Sequence, residues 1–144
     1  MLTRNLSIIN RYCHFFLRPL LEDCGLSGPD SLLLSFLKGR EAANQDYLGC
    51  CLLLDKATVA KSAARLEERG FIRRRVNALN RREKLVELTD EGRALLGRID
   101  GAKARWEDIC LSGFDEAERA AFLALSERAA QNAVEYRGHS KEEI

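Results

Sequence analysis

A mainly α-helical fold of about six helices with one small β-hairpin is predicted by three observations. Apolar residues recur at helical spacing over most of the chain. One stretch between about residues 71 and 88 alternates as half-buried strands do. Gly, Ser, Asp and Asn fall where helices start and stop. The 144 residues suit one ordinary domain with a real core, which excludes a large multidomain enzyme. With 46% hydrophobic and 31% charged residues and only 2 prolines, the chain is too apolar for disorder and too charged for a membrane protein.

The first helix is predicted from about Leu2 to Asp23. Ile9, Cys13, Phe16 and Leu20 form one apolar stripe, and Ile8, Tyr12, Phe15 and Pro19 form a second. A helix apolar on two sides needs two partners, its own core and another chain. Pro19 is expected to kink it, and Gly25 follows it as a stop. Ser27, Pro29 and Asp30 start the second helix in the manner of a capping box, from Gly28 to about Lys38, with Gly39 ending it. A short third helix covers Asn44 to Leu53. Asp55 caps a fourth from Lys56 to Arg69, closed by Gly70.

In the fourth helix Val59, Ala63 and Leu66 make the buried face, while Thr58, Lys61, Ser62, Arg65 and Arg69 share a cationic neighbouring face without an acid. Short extended runs then follow, Phe71 to Val76 and Lys84 to Leu88, joined by a basic tip. Thr89, Asp90 and Glu91 open a long helix to about Leu111, and Asp115 with Glu118 starts the last, whose stripe includes Phe122, Leu125, Ala129 and Tyr136. The polar tail from Gly138 is expected to fray.

A net charge of +1 by itself predicts no polyanionic partner, but it conceals segregation. From Lys56 to Lys84 ten basic residues face three acids, a net +7 over 29 residues, which leaves −6 for the remainder. That is the electrostatic footprint of a nucleic-acid surface on an acidic body. The longest apolar run, Cys50 to Leu54, is far short of a membrane span, and there is no signal peptide, so a cytoplasmic location is expected. Five cysteines without CxxC spacing (Cys13, Cys24, Cys50, Cys51 and Cys110) point to thiols rather than a disulfide framework. With His14 and His139 as the only histidines, neither a metal site nor a cofactor is expected. Catalytic motifs such as GxSxG, GxGxxG, HExxH and the P-loop are absent, so no enzymatic role is expected.

A helix, a turn, a second helix with a basic face and an arginine-tipped hairpin together make a winged helix-turn-helix. The runs Leu54-Asp55-Lys56-Ala57-Thr58-Val59, Leu66-Glu67-Glu68-Arg69-Gly70-Phe71-Ile72-Arg73-Arg74, Asn80-Arg81-Arg82 and Val86-Glu87-Leu88-Thr89-Asp90-Glu91-Gly92 resemble the MarR family of bacterial transcriptional regulators. The specific resemblance covers roughly Ala43 to Leu96.

The resemblance implies a homodimer that binds a pseudo-palindromic site on double-stranded DNA, with half-sites ~34–36 Å apart. Residues 1–25 and 112–144 would dimerise, and residues 26–111 would form the DNA-binding region. Ala57, Thr58 and Lys61 would reach base edges, with Ser62 and Arg65 contributing. Arg82 would enter the minor groove, and Lys56, Arg74, Arg75, Arg81 and Lys84 would contact phosphate. Asn80 stands where the family has a wing aspartate, so the ion pair that would orient Arg82 becomes a weaker amide hydrogen bond.

The resemblance also implies a regulator, a repressor in this reading, released by a small-molecule effector. The effector pocket would lie between the first, second and fifth helices, near Tyr12, His14, Phe15 and Trp106. Some similar regulators sense oxidants through a cysteine of the first helix. Cys13 lies only six residues before Pro19, and the sensing cysteine of similar oxidant regulators lies further upstream. Of Cys50 and Cys51, one is expected to face the core and the other to be exposed. Two other classes stay open: a winged-helix module that holds a protein partner with little specific DNA binding, and a cysteine-based redox-responsive regulator.

Overall fold

The computed structural model describes residues 1–139, with side chains through Tyr136. It contains helices α1 (Leu2–Asp23), α2 (Gly28–Phe36), α3 (Gln45–Leu52), α4 (Lys56–Glu68), α5 (Asp90–Cys110) and α6 (Glu116–His139), and strands β1 (Ala43–Asn44), β2 (Ile72–Val76) and β3 (Lys84–Leu88). The strands form one antiparallel sheet in the order β1-β3-β2. The tail expected to fray from Gly138 lies largely outside the described residues. Two compact units divide the chain, Met1–Trp106 and a second from Glu107 onward.

In the first unit one core joins α1 through Leu17 and Leu21, α2 through Leu33 and Leu34, α4 through Val59, Ala63 and Leu66, the sheet through Ile72 and Val86, and α5 through Leu95 and Ile99. Each fully buried leucine contributes about 1.5–3 kcal/mol. α1 runs unbroken through Pro19. Cys13, Phe16 and Leu20 pack against the core, whereas Ile8, Tyr12 and Phe15 remain exposed. The two apolar stripes are thus separated into a core-facing side and a solvent-facing side.

The helix boundaries follow from their caps. Ser27 and Asp30 form a reciprocal capping box for α2. Asn44 Oδ1 accepts from the N–H groups of Asp46 (2.8 Å) and Tyr47 (3.2 Å), which caps α3. Asp55 Oδ1 accepts from Thr58 N–H at 2.9 Å and caps α4. In α6, Asp115 and Glu118 cap each other's N–H groups at 2.8 and 3.0 Å. α2 ends at Phe36, two residues earlier than its apolar periodicity predicts, because Leu37 and Lys38 already turn toward Gly39 at φ +70°. α3 ends on Leu53 in the left-handed region at φ 57°, a conformation that costs a side-chain-bearing residue about 1–2 kcal/mol. This corner sets the abrupt turn between α3 and α4.

Two features of the sheet were not foreseen. β1 is only two residues long, yet Ala43 and Asn44 pair with Val86 and Leu85 of β3. The start of α5 is stitched to the corner after α4. Thr89 Oγ1 donates to Gly70 O (2.6 Å) and accepts from Gly92 N–H (3.0 Å), and Thr89 N–H donates to Phe71 O (3.1 Å). Gly92 lies so near Phe71 that an added Cβ would overlap that carbonyl.

The second unit comprises the last residues of α5, a turn at Gly113 and α6. Arg119 ion-pairs with Glu107 (2.9 Å) and Asp108 (2.7 Å), which raises the Arg119 pKa, and the rings of Phe114 and Phe122 meet edge-on at 5.8 Å. Leu125, Val134 and Tyr136 are exposed along α6.

Gly92→Ala is expected to destabilise the fold by about 2–3 kcal/mol, since the new methyl meets backbone rather than a movable side chain. Urea denaturation would measure the loss.

Candidate nucleic-acid interface

Positively charged side chains in residues 56–84 divide into held and free. Arg65 of α4 is held: its Nη1 donates to Asp30 Oδ2 at 2.8 Å and to Ser27 Oγ at 2.9 Å. Asp30 is completely buried, and Arg65 is 39% exposed. The same Asp30 oxygen accepts from Ser27 N–H (2.7 Å) and Ser27 Oγ–H (2.9 Å), so one carboxylate caps α2 and anchors α4. Asp30 Oδ1 is buried with no hydrogen-bond donor among the described residues. Removing Arg65 would therefore leave a carboxylate in the core with little compensation.

Arg74 is held by Glu67, with Nε at 2.8 Å and Nη2 at 2.6 Å from Oε2. The Arg74 guanidinium keeps the Glu67 carboxyl below its ordinary range. Arg73 and Arg75, on the other face of β2, share Glu87 of β3 at 3.2 and 3.6 Å. The Arg69 guanidinium lies over Gly25 in the turn between α1 and α2.

Among the described residues, no ion pair involves Lys56, Lys61, Arg81, Arg82 or Lys84. All five are exposed. Lys61 projects from α4 beside exposed Ala57, Ala60 and Ala64, whose small side chains let a flat surface come close to the helix. Thr58 Oγ1 donates to Asp55 Oδ2 at 2.6 Å, and this bond lowers the Asp55 pKa. The hydroxyl proton is thereby committed to the cap.

The base-edge set expected from the sequence is thereby divided. Ala57, Thr58 and Lys61 lie on the accessible side of α4. Ser62 does not: it is buried at 3% exposure, because the turn of the helix carries it inward with Val59, Ala63 and Leu66. Arg65 is turned toward α2. Of the expected phosphate-contacting residues, Lys56 and Lys84 are exposed and outside any ion pair among the described residues, although Lys84 acts on Glu67 through its charge, while Arg75 is partly engaged by Glu87 and Arg74 is half-buried against Glu67.

Asn80 differs from expectation too. Its Oδ1 accepts from the backbone N–H of Arg82 at 3.2 Å, so the amide shapes the turn rather than aiming the guanidinium.

The residues expected around an effector do not converge. A concavity of about 740 Å³ opens on the solvent side of α1, lined by Arg4, Ser7, Ile8, Arg11, Tyr12, Phe15 and Arg18. Tyr12 and Phe15 belong to it. Trp106 instead packs on Phe16 at 5.8 Å between ring centroids, and His14 lies beside Gly28.

All five cysteines are free thiols. Cys50 and Cys51 are both exposed, which corrects the expectation that one would face the core. Leu48 and Gly49 take the inward positions of α3. Cys51 hydrogen-bonds the Tyr47 side chain one turn away and raises the phenol's pKa. Cys13, Cys24 and Cys110 are half-buried, and Cys24 Sγ lies 3.9 Å from Arg98 Nη1.

The residues missed by sequence reasoning are Asp30 as an anchor for α4, and Glu67 and Glu87 as partners of the wing arginines. An acid at the start of a leucine-rich helix was the available signal for the first. The register Arg73↔Glu87 was readable only once the hairpin was paired.

Sequence and structural similarities single out one family. The MarR family profile matches residues 25–83. A crystal structure of MarR is 34% identical and covers 96% of this chain and 95% of that one, with a TM-score of 0.91. The HTH-type transcriptional regulator TtmR of Methylorubrum extorquens is 35% identical over 83 residues, 58% of this chain and 43% of TtmR. The uncharacterized HTH-type transcriptional regulator YwoH of Bacillus subtilis is 30% identical over 105 residues, 73% of this chain and 76% of YwoH. The chain spans about half the length of several curated relatives it matches. It belongs to the MarR family of winged-helix transcriptional regulators. No helix among the described residues is long and apolar enough to cross a membrane.

Asp30→Ala is expected to cost about 3 kcal/mol in urea denaturation, combining a lost cap with an unpaired, half-buried Arg65. Glu67 tests the second pair through pH. Its ordinary pKa of 4.5 is lowered in the fold, so the pair's stabilisation is present above that value and is lost as pH falls through the lower folded one. Glu67→Gln should lower stability by less than about 1 kcal/mol at pH 7, a modest effect for a partly solvated pair. The difference from the wild type should shrink as pH falls below 4.5 and vanish once Glu67 is protonated in the folded state as well.

Proposed function

We propose that the chain is a sequence-specific DNA-binding regulator that acts as a homodimer on a pseudo-palindromic operator, represses transcription, and is released by a small-molecule effector. The observation that carries this reading is the sorting of charge. Of the ten basic residues between Lys56 and Lys84, the exposed ones outside any ion pair among the described residues are Lys56, Lys61 and Arg69 along α4 and at its end, and Arg81, Arg82 and Lys84 on the wing, the two elements through which a winged helix-turn-helix meets a duplex.

In this reading Ala57, the Thr58 methyl and Lys61 contact base edges. Lys61 donates to guanine O6 or N7, and the two small apolar groups meet thymine methyls. Arg82 enters the minor groove, and Lys56, Arg81 and Lys84 neutralise phosphates. Arg75 joins them when Glu87 yields it.

Dimerisation is supported by the exposed apolar side chains of α1 (Ile8, Tyr12, Phe15) and of α6 (Leu125, Val134, Tyr136). A second copy covers them, and two copies supply the two-fold symmetry that an inverted repeat requires. Effector release is an allosteric coupling, in which the effector binds the DNA-incompetent dimer more tightly than the competent one. A cytoplasmic location follows from a partner that is chromosomal DNA.

The reading is tested by selecting random duplexes with the purified protein and retitrating the winners at two salt concentrations. A two-fold symmetric motif is expected, with log K falling against log salt by about 0.9 per phosphate neutralised. Weak binding without a motif would favour the protein-interaction module. Lys61→Ala should relax discrimination at one base pair per half-site by about 1–3 kcal/mol, and Arg82→Ala should weaken binding most where the flanks are A·T-rich. Equal loss on every sequence for Lys61→Ala would exclude base reading by that side chain.

A further inference from the structure

Leu79 stands at the apex of the wing with 96% of its surface exposed. The turn beneath it is unusually well tied. Asn77 N–H donates to Glu83 O (2.9 Å), Asn77 Nδ2 to Glu83 Oε2 (2.9 Å), and Leu79 N–H to Asn77 Oδ1 (3.0 Å). Asn80 N–H donates to Asn77 O (3.2 Å) and Glu83 N–H to Asn80 O (2.9 Å), while Asn80 Oδ1 takes the Arg82 N–H. The side chains of Asn77, Asn80 and Glu83 are all engaged in closing the turn. The product is a stiff platform that holds a bare isobutyl group forward, with exposed Arg81 and Arg82 next to it.

A lone leucine on a protein surface ordinarily calls for no explanation. This one differs in its setting: a braced tip, two cations outside any ion pair two and three residues away, and a side chain left 96% exposed. These are the requirements for wedging between base pairs. The group must be apolar so that it can replace stacking, it must be carried on a backbone that does not recoil, and cations must hold the phosphates on either side.

We propose that Leu79 is a minor-groove wedge, inserting at a base step beside the site of Arg82 and kinking the duplex there. The proposal rests on the DNA-binding reading above and adds a specificity that the base-edge contacts of α4 do not provide. Unstacking is easiest at the flexible pyrimidine–purine steps TA and CA/TG, so the wing selects its flank by deformability rather than by hydrogen bonding. Asn80 contributes to the bracing of the tip through its Oδ1, which accepts the Arg82 backbone N–H.

The test uses the full chain and the symmetric duplex recovered by selection, prepared with TA steps or with a stiff A-tract in the flanks. End-to-end energy transfer reports bending, and 2-aminopurine placed at each flank step in turn reports unstacking. Selection of a symmetric duplex by the wild type establishes DNA binding independently of the wedge, and its absence would remove both. The wild type is expected to bend the TA-flanked duplex and to brighten 2-aminopurine at one step per half-site. Leu79→Ala should keep the core motif, lose both signals, and bind the TA-flanked duplex roughly tenfold more weakly. Leu79→Phe should retain both signals. If Leu79→Ala bends the duplex and prefers TA flanks as the wild type does, the wedge is overturned while sequence-specific binding stands.

Discussion

The buried pair of Asp30 and Arg65 decides which way α4 faces. α2 is a leucine-rich helix, and a carboxylate fully enclosed within it is costly unless its charge is matched. Arg65 matches it, and it can do so from only one rotational setting of α4. A shift of one residue would turn the helix by about 100°, strand Asp30, and exchange the inward Val59, Ala63 and Leu66 for Ala60, Ala64 and Glu67 or for Thr58, Ser62 and Arg65, each set with a charge and less apolar surface. Ser62 is drawn inward by the same setting, and Lys61 is sent outward. A polar contact in the core thus determines the chemistry of a surface about ten residues of helix long.

The acids of this region matter as much as its bases. Ten positive residues within 29 would form an indiscriminate cationic patch if all were free. Glu67 and Glu87 withdraw three consecutive arginines of β2 into the framework of the wing. What remains is sparse and placed: two lysines on α4, Arg69 at its end beside Gly25, two arginines at the tip, and one lysine at the start of β3. Net charge alone would have assigned the same role to every arginine. Pairing geometry separates those that build the wing from those available to a ligand.

Much of this was legible in the sequence because it was local. Caps, left-handed glycines and apolar periodicity act over three or four residues, and they located all six helices and both strands of the hairpin to within two residues. The inward face of α4 was readable for the same reason. Contacts distant in sequence were not. The Asp30–Arg65 pair joins residues 35 apart, and β1 becomes a strand only because β3 lies beside it. Two residues of alternation carry no period to detect. The division of the effector-pocket candidates had a similar origin, since Phe16 and not Tyr12 is the residue of α1 that reaches Trp106. Cys50 and Cys51 illustrate a third case: in an eight-residue helix, two adjacent positions can both face solvent when a leucine and a glycine have already filled the core side.

Asn44 does two jobs at once. Its backbone pairs with Leu85 as the end of β1, and its side chain holds the first N–H groups of α3. The sheet that carries the wing and the helix that precedes the α3–α4 corner are therefore hinged on the same residue, with no slack between them. A wing lifted or twisted by whatever it touches drags the first turn of α3 with it, and the strained Leu53 corner passes that motion toward α4. Wing and α4 then behave as two jaws of one tool rather than as separately sprung parts.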